Sequence, residues 1–217
     1  MKNSQKGFTL VEIAIVLVII GLLLGGILKG QEMIVQAKIK NAMADFSGIS
    51  AAYHGYQDRY RALPGDDSGA AGRWTTPTVA VSGDGNGVVL GLYNSATAAD
   101  ESREWWDHLR RAGFVAGSGA QQPTNAFTGM IGVQTGTGAG TIAAVLNGFA
   151  SLMVCSANVP DKVAIAIDTQ MDDGLLFSGG VRSQLQVTPN PAVTASSGVS
   201  GSYQETGTNI YTMCRQI

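Results

Sequence analysis

The chain has 217 residues, with 14 Lys and Arg against 16 Asp and Glu, a formal net charge of −2. That balance excludes a broadly basic surface for nucleic acid, and 45% apolar against 14% charged residues excludes intrinsic disorder. With 29 Gly but only 6 Pro and no Gly-X-Y period it is not collagen-like, and two Cys and two His leave no four-cysteine zinc site and little scope for histidine metal chemistry.

Residues 1–7, MKNSQKG, are polar and carry Lys2 and Lys6. The next 21 residues, 8–28, are apolar apart from Thr9 and Glu12. At ~1.5 Å per residue they span about 31 Å, the hydrocarbon thickness of a bilayer. A secretory signal peptide has a shorter apolar core and an A-x-A-like site; here Leu28 is followed by Lys29-Gly30-Gln31-Glu32. The pattern predicts a membrane helix, and the lysines before it favour a cytoplasmic N-terminus. A carboxylate inside the bilayer costs on the order of 3 kcal/mol, so Glu12 either lies near the interface and snorkels or neutralises a positive charge on a partner. Gly21 and Gly25, and Gly26 and Gly30, sit four apart, the small-xxx-small spacing that lets helices approach closely, although glycine is also simply common in membrane helices. Each costs about 1 kcal/mol in a helix relative to Ala, so 21–30 is its weakest part.

The run Lys6-Gly7-Phe8-Thr9-Leu10-Val11-Glu12 before an apolar stretch resembles the N-terminus of type IV pilins and type II secretion pseudopilins. The resemblance implies a leader, 1–7, cleaved between Gly7 and Phe8 by a prepilin peptidase at the cytoplasmic face, with N-methylation of Phe8. It also implies that Glu12 pairs with the Phe8 amine of a neighbouring subunit. Self-association into a helical filament, an inner-membrane assembly platform and a single-pass bacterial inner-membrane precursor with a periplasmic head belong to the same implication. Many pilins carry Pro near the position of Lys29; here Gly25, Gly26 and Gly30 would supply any kink. Segments 62–67 (ALPGDD), 83–87 (GDGNG), 104–109 (EWWDHL) and 172–174 (DDG) are also similar to a subgroup of pilin-like proteins. Processing would leave 12 basic against 16 acidic residues, a net charge of −4.

From 29 to 63 the helix should continue, with Ile39, Met43, Phe46, Ile49, Tyr53, Tyr56, Tyr60 and Leu63 forming one stripe at helical period that rests on a globular domain. Pro64-Gly65 should end it. Residues 65–100 read as loop with one short strand at 88–92, and 102–111 as a helix burying Trp105, Trp106 and Leu109. Strands are expected at 130–134, 141–146, 149–155, 184–188 and 210–214. A helix should run from Pro160-Asp161 to Met171, stopped by Gly174, and 188–203 should be an exposed loop. The expected fold is therefore α+β, a long N-terminal helix packed on an antiparallel sheet in a head of residues 64–217. In an oxidising compartment Cys155 and Cys214 are expected to form a disulfide closing about 60 residues, like the C-terminal disulfide loop of many pilins, rather than remain two buried thiols.

No catalytic constellation is visible: His54 and His108 stand alone, with no H-E-x-x-H, G-x-S-x-G or Walker A pattern, and both read as surface or packing residues. Residues 136–140 (GTGAG) do not fit G-x-G-x-x-G and read as a turn. Asp84-Gly85-Asn86-Gly87 is similar to the start of a calcium loop, but Val88 stands where a third ligand would be. Calcium would need Asp66 and Asp67, or Asp172 and Asp173, brought close; a tight turn and no cofactor is the expectation. Two acids at a helix C-terminus oppose its dipole, so Asp172 and Asp173 call for a partner such as Arg182 or a loop N–H. The net charge of −4 disfavours a DNA-binding head, leaving Arg103, Arg110 and Arg111 as one local basic patch. The functional expectation is a structural filament subunit rather than an enzyme. The alternative is a minor or tip pilin, or a pseudopilin, whose head binds a substrate, a surface or DNA.

Overall fold

The structure is a computed structural model that describes residues 7, 9–140, 143–194 and 201–217. It divides into two units, Met1–Lys38 and Ile39–Ile217. Helix α1 (Leu10–Tyr60) is continuous over 51 residues.

In the first unit every side chain from Leu10 to Leu28 is exposed. This stretch of α1 is long and apolar enough to cross a membrane, with a mean hydropathy of 2.8. So much uncovered apolar surface is unstable in water and calls for lipid or protein neighbours.

In the second unit the rest of α1 buries Ile39, Ala42, Phe46, Ile49, Ala52, Tyr53 and Tyr56, while Met43, Tyr60 and Leu63 pack partly against the same core. The helix ends at Tyr60, three residues before the expected position, because Arg61 takes a positive φ of 54°; Leu63, preceding Pro64, is disfavoured in the α region as well. Beyond it come α2 (Ala70–Arg73), α3 (Glu101–Arg111), β1 (Ile131–Thr135), β2 (Leu152–Pro160), α4 (Asp161–Met171), β3 (Val181–Leu185) and β4 (Ile210–Gln216). The strands form one antiparallel sheet in the order β1-β2-β4-β3. Successive residues of a strand face opposite sides, and here both sides are covered. Val133, Val154 and Met213 join the α1 stripe, Trp105, Trp106 and Leu109 of α3, and Val163 and Ile167 of α4. On the other side Met153, Cys155 and Cys214 meet Tyr93, Leu146, Phe149 and Val193. Gly132 lies mid-strand because the backbone of Tyr93 crosses β1 there: a Cβ would stand 2.0 Å from the Tyr93 carbonyl oxygen.

Several expected strands are corrected. Residues 88–92 form none: Val89 N–H donates to Thr135 Oγ1, Leu90 N–H to Glu101 Oε2 and Gly91 N–H to the Gly138 carbonyl, so side chains and a loop replace a ladder. In 141–146, Thr141 and Ile142 lie outside the described residues. Val145 makes only an isolated bridge to Phe149 across a turn with positive φ at Leu146, Asn147 and Gly148. The strand expected at 149–155 begins at Leu152 and runs to Pro160, and the one expected at 184–188 lies at Val181–Leu185. The loop expected to be exposed at 188–203 buries Val193, which plugs the second core cluster; 195–200 lie outside the described residues.

Candidate functional site

At the N-terminus Gly7 is exposed and Phe8 lies outside the described residues. Thr9 N–H and Thr9 Oγ1 both donate to Glu12 Oε2, each at 2.8 Å, and Glu12 N–H donates to Thr9 Oγ1 at 3.2 Å. This is a reciprocal capping box, satisfying backbone donors that a helix start otherwise leaves unpaired. Thr9-x-x-Glu12 has the spacing that announces this local role, which comes in addition to the lipid and partner roles expected of Glu12. Gly21, Gly25, Gly26 and Gly30 all lie on α1, and beyond the helix's own nearby backbone no described atom stands within 4 Å of a would-be Cβ, so this part of the helix surface is uncovered.

The second unit gathers three of the four segments singled out in the sequence into one buried polar knot. Asp66, 3% exposed, accepts the N–H groups of Gly85 (2.7 Å), Asn86 (3.1 Å) and Gly87 (2.7 Å). Gly83 has to be glycine, since a Cβ there would lie 2.4 Å from Asp66 Cα. Asp67 accepts Tyr56 Oη (2.6 Å) and Gly69 N–H (2.8 Å) and pairs with Arg73 Nη1 (2.5 Å). Gly65 N–H donates to His108 Nδ1 (2.9 Å), so the ring proton is on Nε2 and goes to the Val81 carbonyl (2.7 Å). His108 is fully buried and stacked on Tyr56. Burial pushes its pKa down, which keeps the imidazole neutral and able to accept. His54, by contrast, is exposed on α1.

Carboxylate oxygens of Asp66, Asp84 and Glu101 lie within 4.8 Å of one another, as do those of Asp168, Asp172 and Asp173. Among the described residues these are the carboxylates that could share a cation, and Asp67 belongs to neither cluster. Their oxygens already accept protein donors: Glu101 takes the N–H of Asp84 and Leu90, and Asp84 takes the backbone and side-chain N–H of Asn86. In the second cluster Asp172 accepts Val181 N–H, and Asp173 accepts Leu175 N–H and the Ser178 hydroxyl. Loop N–H groups therefore answer the acids at the end of α4. Arg182 donates to the Leu146 and Asn147 carbonyls, and its charge also helps to lower the Asp173 pKa after the Ser178 and Leu175 hydrogen bonds.

Asp168 is fully buried, accepts Tyr203 Oη (2.6 Å) and Gly174 N–H (3.2 Å), and burial raises its pKa to about 6. An acid raised in the fold above its unfolded value near 4 binds its proton more tightly when folded. Stability therefore falls as pH rises through about 4 to 6 and stays lower above it. Asp168→Asn can keep both bonds, because Tyr203 Oη also meets Ser183 Oγ at 2.8 Å and can reverse its donor role. The expected result is a variant more stable than the parent at pH 7.5, by on the order of 2 kcal/mol, with the difference vanishing near pH 4. Urea denaturation at the two pH values measures it, and a larger stability gap at pH 4 than at pH 7.5 would contradict it.

Cys155 and Cys214 form a disulfide between directly paired positions of β2 and β4, with Cα atoms 4.0 Å apart. Arg110 and Arg111 line one cleft, and each of the three arginines Arg103, Arg110 and Arg111 is engaged locally. Arg103 donates to the Ala96 carbonyl, Arg110 to Gly119 and Gln121, and Arg111 pairs with Asp107.

Residues 2–28 match the family model of the prokaryotic N-terminal methylation motif, the signature of type IV pilins and pseudopilins. No curated protein and no solved structure is significantly similar to the chain. The architecture, a long apolar N-terminal helix followed by a four-stranded antiparallel sheet, is α+β and pilin-like. The motif supports a type IV pilin-like or pseudopilin subunit, implies processing by a prepilin peptidase, and with the apolar helix fits a membrane-anchored precursor. Proteins of that kind are structural rather than enzymatic.

Proposed function

We propose that this protein is a structural subunit of a type IV pilus or pilus-like filament. The observation that carries the reading is the run Lys6-Gly7-Phe8-Thr9-Leu10-Val11-Glu12 leading into an exposed apolar helix, matched over residues 2–28. The precursor sits in the bacterial inner membrane with a cytoplasmic N-terminus and a periplasmic head. The peptidase cuts between Gly7 and Phe8, and Phe8 is N-methylated. The apolar helix then leaves lipid and packs against its counterparts, Gly21, Gly25, Gly26 and Gly30 allowing close approach. Glu12 exchanges its contact with Thr9 for the Phe8 amine of a neighbour, and two buried opposite charges offset much of each other's desolvation. Calcium has no part in this reading.

The test separates processing from assembly. Gly7→Val should leave the full-length precursor, read by intact mass. Glu12→Ala should be cleaved but remain in the membrane fraction, with no sheared filaments. Wild-type filament yield from both variants would sink the proposal.

A further inference from the structure

A cleft of about 450 Å³ opens on the second unit, lined among others by Trp74, Thr78, Asp107, Arg110, Arg111 and Ser118. That volume suits a small ligand, for which sites run about 300–1,000 Å³. Its charges are unequal. Arg111 Nε pairs with Asp107 at 2.5 Å, and its terminal nitrogens donate to the Thr78 carbonyl (2.8 Å) and hydroxyl (3.1 Å), so that wall is neutral. Arg110 has no carboxylate partner among the described residues. Its Nε and Nη1 donate to the carbonyls of Ala116 (3.4 Å), Gly119 (2.6 Å) and Gln121 (2.6 Å), and the guanidinium lies 5.8 Å from the centre of the Trp106 ring. The guanidinium is thus held in place in a cleft whose lining carries two arginines against the single carboxylate of Asp107, and burial lowers its pKa against the longer-range pull of that carboxylate. A ligand carboxylate would relieve that cost, since arginine presents a planar fork suited to it. Trp74 supplies an aromatic surface held by Tyr60, whose ring stands edge-on at 5.4 Å, and by the Arg73 guanidinium 4.9 Å from its ring centre, which leaves the other face for a ligand. Thr76, Thr78 and Ser118 put hydroxyls around the opening.

We propose that this cleft binds an acidic sugar residue, a hexuronate within an oligosaccharide. Its carboxylate would meet Arg110, its carbon–hydrogen face Trp74, and its hydroxyls the threonine and serine side chains. A nucleic acid is disfavoured because a polyanion needs several cations, and here there is one unpaired arginine on a chain that is net negative. A peptide is disfavoured because no strand lines the cleft to pair with its backbone. The proposal does not depend on filament assembly.

Full-length processed protein in non-ionic detergent micelles tests it, titrated with trigalacturonate or a glucuronate oligomer and read by calorimetry and tryptophan fluorescence. At least one should bind saturably, and its methyl ester about tenfold or more weaker, because only the charge differs. Arg110→Gln should weaken binding by a similar factor. Because Arg110 also braces the 116–121 turn, Ser118→Trp provides a second variant, which should block the cleft while leaving the thermal melt unchanged. Absence of saturable binding, equal binding of the ester, unimpaired binding by Ser118→Trp, or tighter binding of triglutamate or an oligonucleotide would each overturn the proposal.

Discussion

Replacing Cys155 and Cys214 together with alanine is expected to destabilise the second unit by about 4 kcal/mol, the chain-entropy value for a closed loop of this size. The two cysteines are 59 residues apart in sequence. Without the bond, the unfolded chain between them gains conformational freedom that the native sheet must overcome. Both side chains are fully buried, so a reductant can reach them only after local opening, and dithiothreitol should act slowly on the folded protein and quickly in mild denaturant. All three tryptophans, Trp74, Trp105 and Trp106, lie in this unit. Urea denaturation of the full chain in micelles, followed by their fluorescence, therefore reports on it directly. A loss under about 1 kcal/mol would mean that the unfolded state is already compact near the two positions.

Asp67→Ala should cost about 2–4 kcal/mol. The carboxylate is 3% exposed and holds three donors at once: Tyr56 Oη from α1, Gly69 N–H, and Arg73 at the end of α2. Removing it strands a buried phenol and a cation, and the penalty comes from those orphaned groups more than from the lost contacts. Arg73 retains partial access to water, which keeps the loss below that of a fully buried pair. The same carboxylate makes a pH prediction. Burial works to raise the Asp67 pKa, but the contacts with Arg73 and Tyr56 outweigh it and hold the group below its ordinary value. A depressed acid contributes its stability above the unfolded value near 4 and loses it as pH falls through the folded value. The parent should therefore lose stability on acidification below pH 4 more steeply than Asp67→Ala does. Parallel acid limbs in the two proteins would show that Asp67 is not charged in the fold.

The parts of the fold legible in the sequence are those set by local periodicity. The apolar run 8–28 and the stripe from Ile39 to Tyr56 specify α1, because a helix places every third or fourth residue on one face whatever else the chain does. Trp105, Trp106 and Leu109 mark the inner side of α3 for the same reason. The disulfide was within reach because there are only two cysteines. Strands were less legible. β-Branched content at 88–92 and 141–146 resembled strand, but a strand exists only where another backbone lies alongside. Val89 and Leu90 instead spend their N–H groups on Thr135 and Glu101. The polar knot was visible as three short patterns and not as a contact. His108 meets a backbone N–H 43 residues away, and Asp66 caps a turn about 20 residues on. Nothing in local spacing encodes those separations.

The position of β4 has a consequence for biosynthesis. β4, which follows the other three strands in the chain, is an interior strand between β2 and β3. A ribosome makes β2 and β3 before β4, so they emerge with facing edges and a gap that only β4 can fill. Until then both edges are open to pairing with other chains. A nascent product that stops short of Ile210 would keep them open permanently, so termination before β4 should yield aggregates or proteolytic fragments rather than a folded sheet.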